Sequence, residues 1–120
     1  MTLQRSFILA SIISMTATPL LADDITIPMP ADTKVEHVDA TYQCGQEKVT
    51  VTYINAGSVN LARLGMGDTI IVASSVIAAS GAKYAGGPYV WWSKGEEAEL
   101  YDVVKDPQMN TATHCSTVKG

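Results

Sequence analysis

The 120-residue sequence has few of the residues that mark catalytic or metal-binding sites. Its two cysteines and two histidines do not show a zinc-binding spacing. A G-x-S-x-G element is missing, and so is a glycine-rich loop that opens a helix, which removes the usual signatures of hydrolases and phosphate-binding enzymes. A catalytic triad would have to use His37 or His114, which lie before and after the strand-rich part of the chain. The sequence therefore predicts a protein that is not an enzyme and uses no cofactor and no metal.

One short pattern does match a catalytic family. Ser80 and Lys83 have the S-x-x-K spacing of penicillin-binding enzymes. Those enzymes also carry S-D-N and K-T-G elements, and neither element occurs in this chain. A pattern with two fixed positions matches often by chance, so the prediction of a non-enzyme stands.

Long hydrophobic runs are also missing. The apolar run at residues 7–15 is shorter than the roughly 20 residues that cross a bilayer. It follows one basic residue, Arg5, and precedes Ala22 and the acidic pair Asp23 and Asp24. This order is typical of a secretory signal. We therefore predict a signal peptide at residues 1–22, export from the cytoplasm, and no membrane anchor after cleavage.

Basic residues are scarce in the predicted mature chain. Without Arg5 it has 12 acidic and 7 basic residues, a net charge of −5. Such a charge argues against nucleic acids and anionic membranes as partners and suits a cationic partner. The two cysteines, Cys44 and Cys115, indicate a disulfide in an exported protein. A loop of this length stabilises a domain by roughly 4 kcal/mol.

The mature chain has little helical periodicity but much alternation. Val49, Val51 and Tyr53 alternate with threonines, as in a strand with one buried face. Further short strands are separated by glycine-containing turns, at 59–64, 69–79, 89–92 and 98–104. Residues 23–39 are predicted to be an extended lead-in and 80–88 a loop. The pattern predicts one all-β domain at residues 40–120, an antiparallel sandwich or barrel.

Two glycine-containing segments flank the aromatic strand at 89–92. The first carries Ser80, Lys83 and Tyr84, and the second carries Ser93 and Lys94. Each segment offers a hydroxyl and an ammonium group on an exposed turn, where binding residues concentrate. The ordinary alternative is that the lysines only keep the surface soluble and the tryptophans are strand residues, one buried and one half-exposed.

These segments resemble the MliC/PliC family of bacterial c-type lysozyme inhibitors. Ser80-Gly81 and Tyr84 match its S-G-x-x-Y segment, and Ser93-Lys94-Gly95 matches its T-K-G segment with serine for threonine. An A-x-L strand at 98–100 and a Y-x-C opening at 42–44 also match, so the resemblance covers about residues 42–115. Because no cysteine directly follows the signal segment, the chain is similar to the soluble periplasmic branch and not to the lipid-anchored one.

The resemblance implies an eight-stranded antiparallel β-barrel closed by the Cys44–Cys115 disulfide. It also implies a partner, c-type lysozyme, whose cleft the Ser80 hydroxyl and the Lys94 ammonium would enter to engage the catalytic carboxylates. The implied lysozyme-binding residues are Ser80, Gly81, Lys83, Tyr84, Ser93, Lys94 and Gly95. Among them Tyr84 is expected to shape its loop, and Gly81 and Gly95 to adopt backbone conformations that strain other residues.

A second hypothesis is a periplasmic β-barrel that binds a small apolar ligand or a cell-wall fragment. Tyr89, Trp91 and Trp92 would then line the barrel mouth. A barrel of about eight strands has room inside for side chains or one small ligand, and this short chain predicts a filled interior. The sequence leaves open a homodimer through an exposed strand edge and the selectivity among c-type lysozymes.

Overall fold

The computed structural model describes residues 2, 4, 8–19 and 22–119. The predicted signal peptide lies partly outside these residues, including Arg5 and Leu20. Its described part at 8–19 forms neither helix nor strand. Over the described ranges, no helix is long and apolar enough to cross a membrane.

Within the described residues, eight antiparallel strands form a closed barrel in which each strand pairs with the next and β8 pairs with β1. The strands are β1 (Val35–Cys44), β2 (Glu47–Ala56), β3 (Val59–Met66), β4 (Thr69–Val76), β5 (Ala82–Gly86), β6 (Tyr89–Lys94), β7 (Glu97–Asp102) and β8 (Thr113–Thr117). The implied architecture is therefore confirmed.

Alternation and turn chemistry account for this topology. In β2, Val49 and Val51 are buried while Thr50 is exposed, because successive side chains point to opposite faces of a strand. Five of the connections between β1 and β8 are two-residue turns whose first residue is a glycine with positive φ, namely Gly45, Gly57, Gly67, Gly87 and Gly95. Positive φ at this position is the type II′ pattern, which matches the twist of paired strands.

In two places the strands differ from those predicted from the sequence. β1 begins at Val35, so the barrel includes five residues that were assigned to the lead-in. This part of β1 pairs along residues 52–56 of β2, but its side chains are exposed and give no hydrophobic pattern. The segment 80–88 contains β5 at 82–86. Alanine and glycine have low strand propensity, and pairing with β4 and β6 overrides it here.

The barrel interior is filled by side chains, as predicted. Trp91 is fully buried, and its indole Nε1 donates a hydrogen bond of 2.9 Å to the Tyr53 hydroxyl. The Tyr42 and Tyr53 hydroxyls are also 2.9 Å apart, and the Tyr42 ring meets the Trp91 ring edge to face at 4.9 Å. Each polar atom of this aromatic group therefore has a partner, which burial requires.

The Cys44–Cys115 disulfide is present and joins the two strands that close the barrel. The cysteines face each other across β1 and β8 with a Cα–Cα distance of 4.2 Å. β1 and β8 align only over residues 42–44 and 115–117. The disulfide therefore reinforces a short seam.

Candidate functional site

The two glycine-containing segments meet at one end of the barrel. Ser80 lies in the loop before β5, and Lys94 is the last residue of β6. Because β5 and β6 are antiparallel neighbours with Ala82 opposite Ser93, the start of β5 lies beside the end of β6. The fold thus brings the predicted hydroxyl and ammonium groups to the same rim.

Trp92 lies at the centre of this rim. Its indole Nε1 donates a 2.8 Å hydrogen bond to the backbone oxygen of Ser80. The Nζ atoms of Lys94 and Lys83 lie 4.3 and 4.8 Å from its ring centroid, within the range of cation–π attraction. We call Ser80, Lys83, Trp92, Lys94 and Glu99, which pairs with Lys94, the Trp92 cluster.

Gly81 permits the close approach of the Ser80 loop to β6. Its φ is +66°, and an added Cβ would clash with the Ser93 backbone oxygen and lie 3.2 Å from the Trp92 Nε1. Gly95 has a similar φ of +65°, but open space surrounds the position of its Cβ. The predicted conformational role of both glycines is confirmed, and only Gly81 is also required by packing.

A carboxylate from β7 holds the Lys94 ammonium in place. The Glu99 Oε2 is 3.5 Å from the Lys94 Nζ and accepts a 2.6 Å hydrogen bond from the Tyr101 hydroxyl. The Tyr101 hydrogen bond, helped by the charge of Lys94, lowers the pKa of Glu99 against the opposing effect of desolvation. The same hydrogen bond, together with burial, raises the pKa of Tyr101 to about 12. At neutral pH the Glu99 carboxylate is therefore ionised and accepts the hydrogen bond, and the Tyr101 hydroxyl donates it.

The barrel register explains why these residues meet. Lys83 of β5, Trp92 of β6, Glu99 of β7 and His114 of β8 are successive cross-strand partners on the outer face. The His114 Nε2 is also 3.7 Å from Glu97. Directly opposite residues are the pairs through which sheets are stabilised. A cationic, an aromatic and an acidic side chain therefore lie side by side on this face.

Two residues implied as lysozyme-binding have side chains on the inner face of the barrel. Tyr84 is 6% exposed, and its ring packs 5.7 Å from the Tyr53 ring. Ser93 alternates with Trp92 and Lys94 and so shares the inner face with Trp91. Burial is the chief cause of the raised pKa of Tyr42, and the nearby Ser93 side chain opposes this rise. Neither side chain belongs to the Trp92 cluster.

The hypothesis of a small-ligand site at the barrel mouth is not supported by the positions of its three aromatic residues. Trp91 is fully buried and Trp92 is half-exposed on the other face of β6, so Tyr89, Trp91 and Trp92 do not line one opening. An apolar groove of about 570 Å³ lies elsewhere, between the chain before β1 and the outer face of β2–β4. It is lined by Ile25, Ile27, Ile54, Leu61, Ile70 and Val72, with Asp23, Asp24 and Arg63 beside them.

Sequence reasoning did not identify Trp92, Glu99 and Tyr101 as parts of the site. From the sequence alone, Trp92 is considered as a strand residue or as part of a barrel mouth, and no role is assigned to Glu99 or Tyr101. The two-residue spacing of Trp92 and Lys94 did carry a usable signal, because it places both side chains on one face. The position of Glu99 depends on strand register, which is not visible in local sequence.

Residues 42–109 match the family model of MliC, the membrane-bound lysozyme inhibitor of c-type lysozyme. The chain belongs to this family. The chain is 42% identical over 91 residues to the membrane-bound lysozyme inhibitor of C-type lysozyme from Pseudomonas aeruginosa, an alignment of 74% of this chain and 72% of the relative. A Cupriavidus necator protein of the same name is 42% identical over 65 residues, 53% of this chain and 52% of the relative.

A solved structure extends the similarity to three dimensions. The crystal structure of Pseudomonas aeruginosa MliC in complex with hen egg white lysozyme matches with a TM-score of 0.68 and 37% identity. The match covers 82% of this chain and 99% of the MliC chain. The name of these relatives specifies membrane-bound proteins, which differs from the soluble form that the sequence predicts.

Proposed function

We propose that this chain is a non-catalytic inhibitor of c-type lysozyme that inserts the Ser80 hydroxyl and the Lys94 ammonium into the lysozyme cleft. The observation that carries the proposal is the Trp92 cluster, in which the indole holds the Ser80 backbone through its N–H group and the Lys94 ammonium over its ring, at one exposed rim. Ser80 is exposed, and the Lys94 side chain is 42% exposed while it is held by Glu99 and Trp92. The chain's membership of the MliC family supports lysozyme as the target.

The chemistry of the two groups suits the lysozyme active site. C-type lysozyme uses two carboxyl groups, a general acid with raised pKa and an ionised partner. The Ser80 hydroxyl can hydrogen-bond one of them, and the Lys94 ammonium can form an ion pair with the other. Charge-assisted bonds in a cleft that excludes water are stronger than neutral bonds. Occupation of both carboxyl groups would block the approach of the substrate.

Net charge favours the encounter of the two proteins. The predicted mature chain carries −5, whereas the proposed partner is a basic protein. Opposite charges accelerate association, and salt screens this attraction. We expect the association rate to fall as ionic strength rises, while the dissociation rate, which depends on the cleft contacts, changes less.

We also propose that the chain acts in the periplasm as a soluble protein. The disulfide fits an oxidising compartment. Cys44 and Cys115 are both used in this bond, which leaves neither for a lipid attachment. Fractionation of cells that express the full chain tests this assignment: release with the periplasmic contents supports it, and retention with membranes contradicts it.

Inhibition is tested with residues 23–120 carrying the intact disulfide. Lysis of a bacterial cell-wall suspension by a c-type lysozyme should stop at near-equimolar inhibitor, and lysis by a g-type lysozyme should continue. Lys94→Met should weaken binding at least tenfold, about 1.4 kcal/mol. Lys83→Met, which removes the other ammonium near Trp92, is the matched control and should change affinity less than Lys94→Met.

Two outcomes separate the parts of the proposal. Full lysis at large molar excess of folded protein would contradict lysozyme as the target. Tight binding that Lys94→Met and Ser80→Ala both leave unchanged would retain the target but contradict insertion of these two groups.

A further inference from the structure

We propose that Trp92 is a positioning residue that fixes the Ser80 hydroxyl and the Lys94 ammonium relative to each other. The inference rests on the proposed function, in which these two groups enter one cleft. It assigns to a single indole the pre-organisation of both contacts, one through its N–H group and the other through its ring.

The Ser80 loop needs an anchor of this kind. It connects β4 to β5 over residues 77–81, and Ile77 in it is fully exposed. Among the described residues, the backbone–backbone hydrogen bonds that lie outside the strands do not involve this loop. The 2.8 Å hydrogen bond from the Trp92 Nε1 to the Ser80 backbone oxygen therefore ties the loop to β6. Gly81 makes the bond possible by letting the loop lie against β6.

The indole ring restrains the second group. Trp92 and Lys94 are two residues apart in β6 and share the outer face, and the Lys94 Nζ lies 4.3 Å from the ring centroid. A free lysine side chain loses considerable rotamer freedom when it is immobilised in an interface, and a contact made before binding reduces this cost. Glu99 restrains the same ammonium from β7, so Trp92 and Glu99 act on Lys94 from different strands.

The role is local and does not belong to the barrel core. Trp92 is only partly buried and lies outside the buried core cluster, whereas Trp91 lies within that cluster. Replacement of Trp92 should therefore leave the barrel folded and change chiefly the loop and the lysine. The two halves of its role can be separated, because phenylalanine keeps a ring near Lys94 but has no N–H group for Ser80.

A double-mutant cycle on lysozyme binding tests the inference. Loss of the hydrogen bond in Trp92→Phe should weaken binding about threefold to tenfold, the range of one net hydrogen bond. This effect should largely disappear in a Ser80→Ala background, where the position of the loop no longer matters. It should persist in a Lys94→Met background. An effect of equal size in all backgrounds would overturn the proposal, as would wild-type affinity in Trp92→Phe.

A second readout uses the free protein and does not depend on lysozyme. Amide hydrogen exchange at residues 79–82 should accelerate in Trp92→Phe, while the amides of Val49 and Val51 keep their protection. Tyr89→Phe, an aromatic change at the other end of β6, is the matched control and should leave both groups of amides unchanged. Unchanged loop exchange in Trp92→Phe would overturn the anchoring role. If wild-type protein does not bind lysozyme, the proposed function fails, and this exchange experiment still decides the role of Trp92.

Discussion

Two tryptophans adjacent in sequence occupy opposite environments. Trp91 points into the barrel, is fully buried, and donates its N–H group to the Tyr53 hydroxyl. Trp92 points outward, is partly exposed, and donates its N–H group to the Ser80 backbone oxygen. The same chemical group thus joins β6 to β2 inside the core in one case and ties a loop to a strand in the other.

The difference shows how one strand can serve stability and recognition separately. On the inner face, Trp91 meets neutral tyrosines whose hydroxyls are already satisfied within the barrel. On the outer face, Trp92 meets two ammonium groups that are still partly accessible to a partner. Because successive side chains alternate between faces, substitutions on one face need not disturb the other.

The largest loss of stability should come from alanine substitution at Trp91, and the same substitution at Trp92 is the comparison. Trp91→Ala should lower the free energy of unfolding by about 3–5 kcal/mol, because it opens a cavity in the core and leaves the Tyr53 hydroxyl without its donor. Trp92→Ala should cost about 1 kcal/mol or less, as expected away from the core, but weaken lysozyme binding more than Trp92→Phe does. Urea unfolding at fixed pH measures the first quantity. Equal losses of stability in the two variants would contradict the separation of the faces.

The inner face was largely predictable from sequence. Alternation in β2 and glycine at the turns are local signals, and two cysteines allow only one disulfide within the chain; each predicted the structure that is observed. The strand number came from the family resemblance. β5 was missed because its alanines and glycine carry little strand signal and its partners in β4 and β6 determine it.

The outer face was predictable only in part. Ser80, Gly81, Lys83 and Lys94 were identified from the motifs, and the structure gathers them around Trp92. Glu99 and Tyr101 lie on β7. The contact of Glu99 with Lys94 follows from the pairing of β6 with β7, and Tyr101 acts on Lys94 only through its hydrogen bond to Glu99. Register of this kind depends on the whole barrel. Ser93 was assigned to the surface because its motif was taken as one unit, whereas alternation turns it inward.

A smaller effect should distinguish the two glycines beside the site. Gly81→Ala and Gly95→Ala both place a side chain at positive φ, which costs about 1–2 kcal/mol. Only Gly81→Ala also forces a Cβ against the Ser93 backbone oxygen, which should add about 1–3 kcal/mol or displace the Ser80 loop. Thermal unfolding and lysozyme affinity measure the two consequences. Similar stability and affinity in both variants would show that the loop does not need its close contact with β6.

The smallest effect concerns pH and the Glu99–Tyr101 pair on the outer face. Because the pKa of Glu99 is lowered in the folded state, its stabilising contribution is present above its ordinary value of 4.5 and is lost as the pH falls through the folded pKa. The pKa of Tyr101 is raised from 10.0 to about 12, so its contribution is present below pH 10 and is lost as the pH rises towards 12. The stability that the pair provides should therefore be greatest between these two limits.

Urea unfolding of wild type, Glu99→Gln and Tyr101→Phe across this pH range tests the assignment. The advantage of wild type over Glu99→Gln should shrink as the pH falls below 4.5, and its advantage over Tyr101→Phe should shrink between pH 10 and 12. Glu97→Gln is the matched control on the same face of β7. The Glu97 side chain is 63% exposed, and its ion-pair partner among the described residues is His114. A wild-type advantage over Glu99→Gln that is independent of pH would mean that the Glu99 carboxylate does not stabilise the outer face through its charge. Trp92 would then be the main restraint on the Lys94 ammonium, and the contrast between the two tryptophans would be sharper.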